Sequence, residues 1–174
     1  MKKLFMILIL LFSSSSFADW SLLAGSGSYM GERHLGITYT SENQKHSTDV
    51  SYGQTAGVIS EDVEQLNLKY VYSPFSYSYK KVESNILGVG TLISNWRSSK
   101  AFVESPSQYP TSDYYSQTKF RLGLVLSSEI KYDKLSFYVD WVLLDQVAIA
   151  LFNNTKYTSD PNTWAGGFGL RWRI

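Results

Sequence analysis

Thr163-Trp164-Ala165-Gly166-Gly167-Phe168-Gly169-Leu170-Arg171-Trp172-Arg173-Ile174 runs to the last residue of the chain. From Phe168 it alternates: Phe168, Leu170, Trp172 and Ile174 share one face, and Gly169, Arg171 and Arg173 share the other. Period two is the signature of a strand with one apolar and one polar face. Two environments satisfy it. On a soluble protein the apolar face covers a core and the arginines meet water. On a transmembrane barrel the apolar face meets lipid and the arginines line a polar interior. Periodicity alone is the same in both, so the remainder of the chain has to separate them.

The first eighteen residues carry the marks of an export signal. Lys2 and Lys3 precede an apolar run, Leu4–Phe12, and Ser16-Phe17-Ala18 offers a small-x-small cleavage site before Asp19. The run is far shorter than the ~20 residues of a spanning helix. The expected organisation is a signal peptide, residues 1–18, cleaved after Ala18, and one domain, residues 19–174. Loss of Lys2 and Lys3 brings the sixteen basic residues down to fourteen, against fifteen acidic. A near-neutral domain gives no reason to expect nucleic acid. The absence of cysteine excludes disulfides and thiolate metal sites.

Working back from the C-terminus, seven more alternating segments appear. The expected strands are Asp19–Ser26, Arg33–Thr40, His46–Thr55, Gln65–Tyr72, Ile86–Asn95, Lys119–Tyr132 and Leu135–Asp145. The sixth is the clearest: Phe120, Leu122, Leu124, Leu126, Ile130 and Tyr132 oppose Lys119, Arg121, Gly123, Ser127, Glu129 and Lys131. A two-residue turn at Asp133-Lys134 sets Tyr132 against Leu135 and Ile130 against Phe137, so the apolar faces match. All four prolines, Pro74, Pro106, Pro110 and Pro161, are placed in connections. The second and sixth connections are tight and the odd-numbered ones long, with Ser73–Asn85 as the exception, open to pairing and to an earlier start of the fifth strand because Tyr77 and Tyr79 also alternate with polar residues. That sorting is the outer-membrane arrangement of short periplasmic turns and long outer loops, and it puts both termini on the periplasmic side. A ten-stranded count, with Phe75–Lys81 as a separate strand, gives that strand only seven residues against the ~9–11 needed to cross.

The terminal strand resembles the C-terminal assembly signal of bacterial outer-membrane β-barrels, whose last residue is usually Phe or Trp; here Ile174 takes that place, with Trp172 two before it. The resemblance implies an all-β, eight-stranded antiparallel up-and-down transmembrane barrel in a Gram-negative outer membrane. It implies contact with outer-membrane lipid and lipopolysaccharide, and recognition by the barrel assembly machinery through the C-terminal strand. All five Trp and all thirteen Tyr lie beyond residue 18, which suits aromatic girdles.

If the apolar faces meet lipid, Asp49, Lys69, Arg121, Glu129, Lys131, Asp140, Arg171 and Arg173 point inward. An eight-stranded barrel is only wide enough for side chains to fill. Its buried charges must therefore pair, which makes a polar plug the expected interior. No phosphate-binding glycine loop, zinc motif or nucleophile elbow is present. Gly88-Val89-Gly90 lacks the third glycine of a dinucleotide fingerprint. Of the two histidines, His46 lies beside a periplasmic turn, and His34 lies near the outer end of its strand with inward parity. Outer-membrane lipid A deacylases use a His-Ser-Asn run, which this sequence lacks. No catalytic residue, cofactor or metal ligand is assigned. The expected function is a structural or surface-interaction role, with a possible surface ligand at the loops of residues 97–117 and 146–162, rich in aromatic and aliphatic side chains. The alternatives are a lipid-modifying barrel enzyme and a soluble periplasmic β-barrel that binds an apolar ligand. The soluble alternative requires leucines inside and arginines outside, so the facing of Arg121, Leu122 and Leu124 decides it.

Overall fold

The computed structural model describes residues 19–55, 63–97, 120–145 and 165–174. The proposed signal segment and most of the two long loops lie outside the described residues. Eight strands form one closed antiparallel barrel in sequence order: β1 (Asp19–Gly27), β2 (Arg33–Thr40), β3 (His46–Thr55), β4 (Val63–Tyr79), β5 (Val82–Arg97), β6 (Phe120–Tyr132), β7 (Leu135–Leu144) and β8 (Ala165–Arg173). The barrel closes where β8 pairs with β1, from Arg173 opposite Ser21 to Gly167 opposite Gly27. Closure leaves no sheet edge along the shared wall, which is the condition for crossing hydrocarbon with strands.

The faces are those of a membrane barrel. Leu122 is 55% and Leu124 45% exposed, whereas Arg121, between β6 neighbours of that row, is 6% exposed. The same holds round the wall: Leu35, Leu66, Ile93, Phe137, Trp141 and Leu170 face out. The soluble apolar-ligand alternative needs the reverse and is excluded. Near the termini the outward row turns aromatic, with Trp20, Tyr39, Tyr70, Tyr72, Tyr132 and Trp172. Trp20 packs edge-on against Tyr39, and His46 stacks near Tyr70. Rings with an apolar body and a polar tip suit a membrane–water interface.

Two expectations are corrected at the β4–β5 hairpin. Ser73–Asn85 is not a connection: β4 and β5 continue pairing to Tyr79 opposite Val82, and the turn is Lys80-Lys81 alone. Pro74 therefore lies inside β4. It is accommodated because the ladder shifts register between Tyr72 and Phe75, and because the pairing with β3 ends at Tyr72, so its missing N–H disrupts no ladder bond there. β5 likewise runs on to Trp96 and Arg97, which the sequence reading gave to the following loop. The correction completes the sorting of connections: 41–45, 80–81 and 133–134 are tight and share the end that holds Asp19 and Ile174. The Phe75–Lys81 segment is the end of β4, and the barrel has eight strands, not ten.

The first connection does not project away from the barrel. Ser28 and Met30 are buried, Ser28 N–H donates to the Gly166 carbonyl at 3.1 Å, and the Met30 carbonyl accepts from Asn67 Nδ2 at 2.9 Å. The fold inward requires left-handed backbone at Gly27, Ser28, Tyr29 and Gly31. Gly53 permits it, because a Cβ there would occupy the place of the Met30 carbonyl oxygen.

Candidate functional site

Among the described residues, the chemistry-bearing side chains converge in the lumen, and strand parity puts them there. Asp49 on β3 faces Lys69 on β4, its direct cross-strand neighbour, with Lys69 Nζ 2.8 Å from Asp49 Oδ2. Lys69 also donates to Asp140 Oδ2 of β7 at 2.5 Å. Arg171 of β8 spans two carboxylates, Asp49 at 2.9 Å and Glu129 of β6 at 2.8 Å. Thr38 Oγ1 of β2 donates to Asp49 at 2.8 Å. Lys131 lies 3.8 Å from Glu129 and donates to Gln44 Oε1 at 2.6 Å. Three acids and three bases thus neutralise one another across five strands. Burial of any one alone would be costly, whereas paired and hydrogen-bonded they fill the barrel.

Tyr138 of β7 sits at the middle of this network. Its ring lies between two cations, with Lys69 Nζ and the Arg171 guanidinium carbon each 4.6 Å from the centroid. A ring face is a favourable seat for a desolvated cation. Its hydroxyl meets His34 Nε2 at 2.8 Å. His34 is buried and inward, as its parity required. This bond to a tyrosine phenol inside the lumen turns its imidazole away from the lipid surface, where a lipid-modifying site would have to work.

The eight charges expected to point inward divide into two groups. Asp49, Lys69, Glu129, Lys131, Asp140 and Arg171 join the network. Arg173 instead reaches the terminal rim, 3.4 Å from Asp19 and one-third exposed. Arg121 lies near the opposite mouth, over the Trp96 ring at 5.6 Å. The expected excess of base is met in part by a turn residue: Gln44, held in left-handed backbone, accepts from Lys131 and donates to Asp19 at 3.0 Å.

The expected polar plug fills only part of the interior. Val71, Leu92, Val125, Val142 and Leu144 form an apolar cluster inside the wall, closed by Met30 from the first connection. Asn67 ties this half together, receiving from Ser94 Oγ at 2.6 Å while donating to the Met30 carbonyl. Tyr138 was legible as an inward position but not as the hub. Met30 was not legible, since a lone methionine in a loop of small residues gives no sign of direction.

One solved structure with a similar fold is the N-terminal β-barrel domain of Pseudomonas aeruginosa OprF, at 10% sequence identity over 90% of this chain and 96% of that one, with a TM-score of 0.46. No protein-family model matches the sequence, and no curated protein matches it. The architecture drawn from the strand register and the outward leucines is an eight-stranded antiparallel transmembrane β-barrel.

Proposed function

We propose that this protein is a non-conducting outer-membrane barrel with a structural or surface-interaction role, its termini in the periplasm and its long loops outside. The observation that carries the reading is the filled lumen: the Lys69–Asp49–Arg171–Glu129 network below and the Met30-capped apolar cluster above. Among the described residues, side chains fill the interior in the way that an eight-stranded barrel allows, which disfavours a water path for a solute. Its working surfaces are the wall and the loops. The wall serves outer-membrane lipid and lipopolysaccharide. The C-terminal strand, with Phe168, Leu170, Trp172 and Ile174 exposed on one side, suits recognition by the barrel assembly machinery. The loops of residues 97–117 and 146–162 are the candidates for a surface ligand; they lie almost wholly outside the described residues. Export through a signal cleaved after Ala18 belongs to the same reading. Purified monomer in planar bilayers is the direct test: no steady conductance above background is expected, and large reproducible channels would overturn the sealed-lumen reading.

A further inference from the structure

On the lipid face the wall is not evenly covered. Ala24 of β1 stands in an outward row of large side chains, with Leu35 directly opposite on β2 and Leu170 directly opposite on β8. Its single methyl leaves a groove of about 530 Å³ whose rims are Leu22, Leu35, Leu170 and Trp172 and which continues to Leu135. The floor is wall, at Leu23, Gly36 and Arg171. The volume lies in the range of specific small-molecule sites, roughly 300–1,000 Å³, and the surface is nearly all apolar.

The groove has a direction. One end lies partway up β1, at the Ala24–Leu35 pair. The other reaches Leu135 and Trp172, which are paired with each other beside the Asp133-Lys134 turn. At that end stand the exposed Lys134 and the partly exposed Arg173, joined by a hydrogen bond from Arg173 N–H to the Lys134 carbonyl at 2.8 Å. Arg173 is shared with Asp19, so Lys134 is the principal cation offered there. Ile174 stands at the same end, on the seam of β1 and β8, where its N–H donates to the Trp20 carbonyl. An apolar slot that rises from a tryptophan-bearing rim, where exposed Lys134 stands beside exposed Asp133, fits a molecule with a fatty chain and a head that carries both an anionic and a cationic group.

We infer that this groove holds one glycerophospholipid, an acyl chain lying over Ala24 and the phosphate at Lys134. The choice of glycerophospholipid over lipopolysaccharide rests on the orientation proposed above, in which the Lys134 end faces the periplasm and the groove opens into the inner leaflet. The site does not depend on the sealed lumen.

The test uses the full mature chain refolded in detergent, with dioleoylphosphatidylethanolamine as the probe and native mass spectrometry as the readout. One lipid is expected to bind saturably. Ala24→Phe, which fills the slot, should cut retention at least about fivefold, and Lys134→Glu should weaken it. Leu124→Phe, on the opposite wall, should leave it unchanged. Folding of each variant is checked by heat-dependent gel mobility, and Ala24→Leu replaces Ala24→Phe if the latter does not fold. Equal retention by wild type and the Ala24 variant would overturn the site, as would stronger retention of lipid A than of the phospholipid. Orientation is tested separately by labelling Asp133→Cys in intact cells with a membrane-impermeant maleimide. Labelling from outside would overturn the inner-leaflet source even if binding in detergent stands.

Discussion

Arg171 holds two carboxylates from different strands, and its loss would leave Asp49 and Glu129 each short of a partner in a dry interior. Breaking a buried ion cluster from one side costs about 3–5 kcal/mol, mostly through the charges left behind. Arg171→Met is therefore expected to lower the urea midpoint of the folded barrel in lipid by an amount equivalent to that range. Arg121, away from the network near the outer mouth, should tolerate Gln far better. The outward neighbour gives the complementary test. Leu124→Arg places a cation against hydrocarbon near the middle of β6, at a cost of about 2–4 kcal/mol, and the same titration should show it more damaging than Arg121→Gln. The opposite ranking would mean that the faces are reversed. At His34, Ala substitution should leave the lipid A mass spectrum of a producing strain unchanged, because the imidazole is directed at Tyr138 inside the lumen. An altered acylation pattern would revive the enzyme alternative.

The elements differ in how far the sequence reveals them. β2 ends at its expected residue because the polar run Ser41-Glu42-Asn43-Gln44-Lys45 follows immediately, and β3 ends at its expected Thr55, where Ala56-Gly57 breaks the alternation. β4 and β5 run past their expected ends, because Pro74 normally marks a break and the alternation changes phase at the bulge between Tyr72 and Phe75. The Phe75-Ser76-Tyr77-Ser78-Tyr79 alternation beyond it was the readable sign. The inward apolar row of Val125, Val142 and Leu144 was harder, since apolar residues on both faces of a strand blur its period. The inward first connection was invisible, because its direction depends on space left elsewhere by Gly53. That space gives a prediction for the element. Beyond residue 18, Met30 is the single methionine of the sequence, and it is fully buried. Gly53→Ala should displace the connection and speed oxidation of Met30 by hydrogen peroxide, read as one added oxygen in the intact mass. Equal rates would mean that the connection does not need Gly53.

For the molecule as a whole, the closed sheet, the outward leucines and the rim of Trp and Tyr set its medium. The mature chain should sediment with outer membranes and resist carbonate extraction; recovery as a soluble periplasmic protein would contradict the membrane reading. Alternation marked the strands and the residues that share a face, but the same pattern serves a soluble sheet; the export segment, the sorted connections and the terminal strand were what pointed to a membrane barrel. The pairing inside was not readable, because alternation says that Asp49, Glu129, Asp140, Lys69, Lys131 and Arg171 share an interior but not which acid meets which base. That depends on the stagger of strands round the barrel, which brings Arg171 of β8 level with Asp49 of β3 on the far wall.

The same cross-lumen bonds bear on the order in which the chain acquires its structure. Asp49 is made early and can meet Lys69 as soon as β3 and β4 form a hairpin, but Asp140, Glu129 and Arg171 arrive strand by strand. Until β8 is in place, Glu129 lacks Arg171, and the lumen is an open trough whose charges would face hydrocarbon. A partly inserted sheet is thus penalised at every stage short of closure, and insertion is expected to be all-or-none, with the final strand acting as the latch. A chain ending before Arg171 should therefore stall as a water-exposed, protease-sensitive species and not accumulate as a seven-stranded sheet in the bilayer.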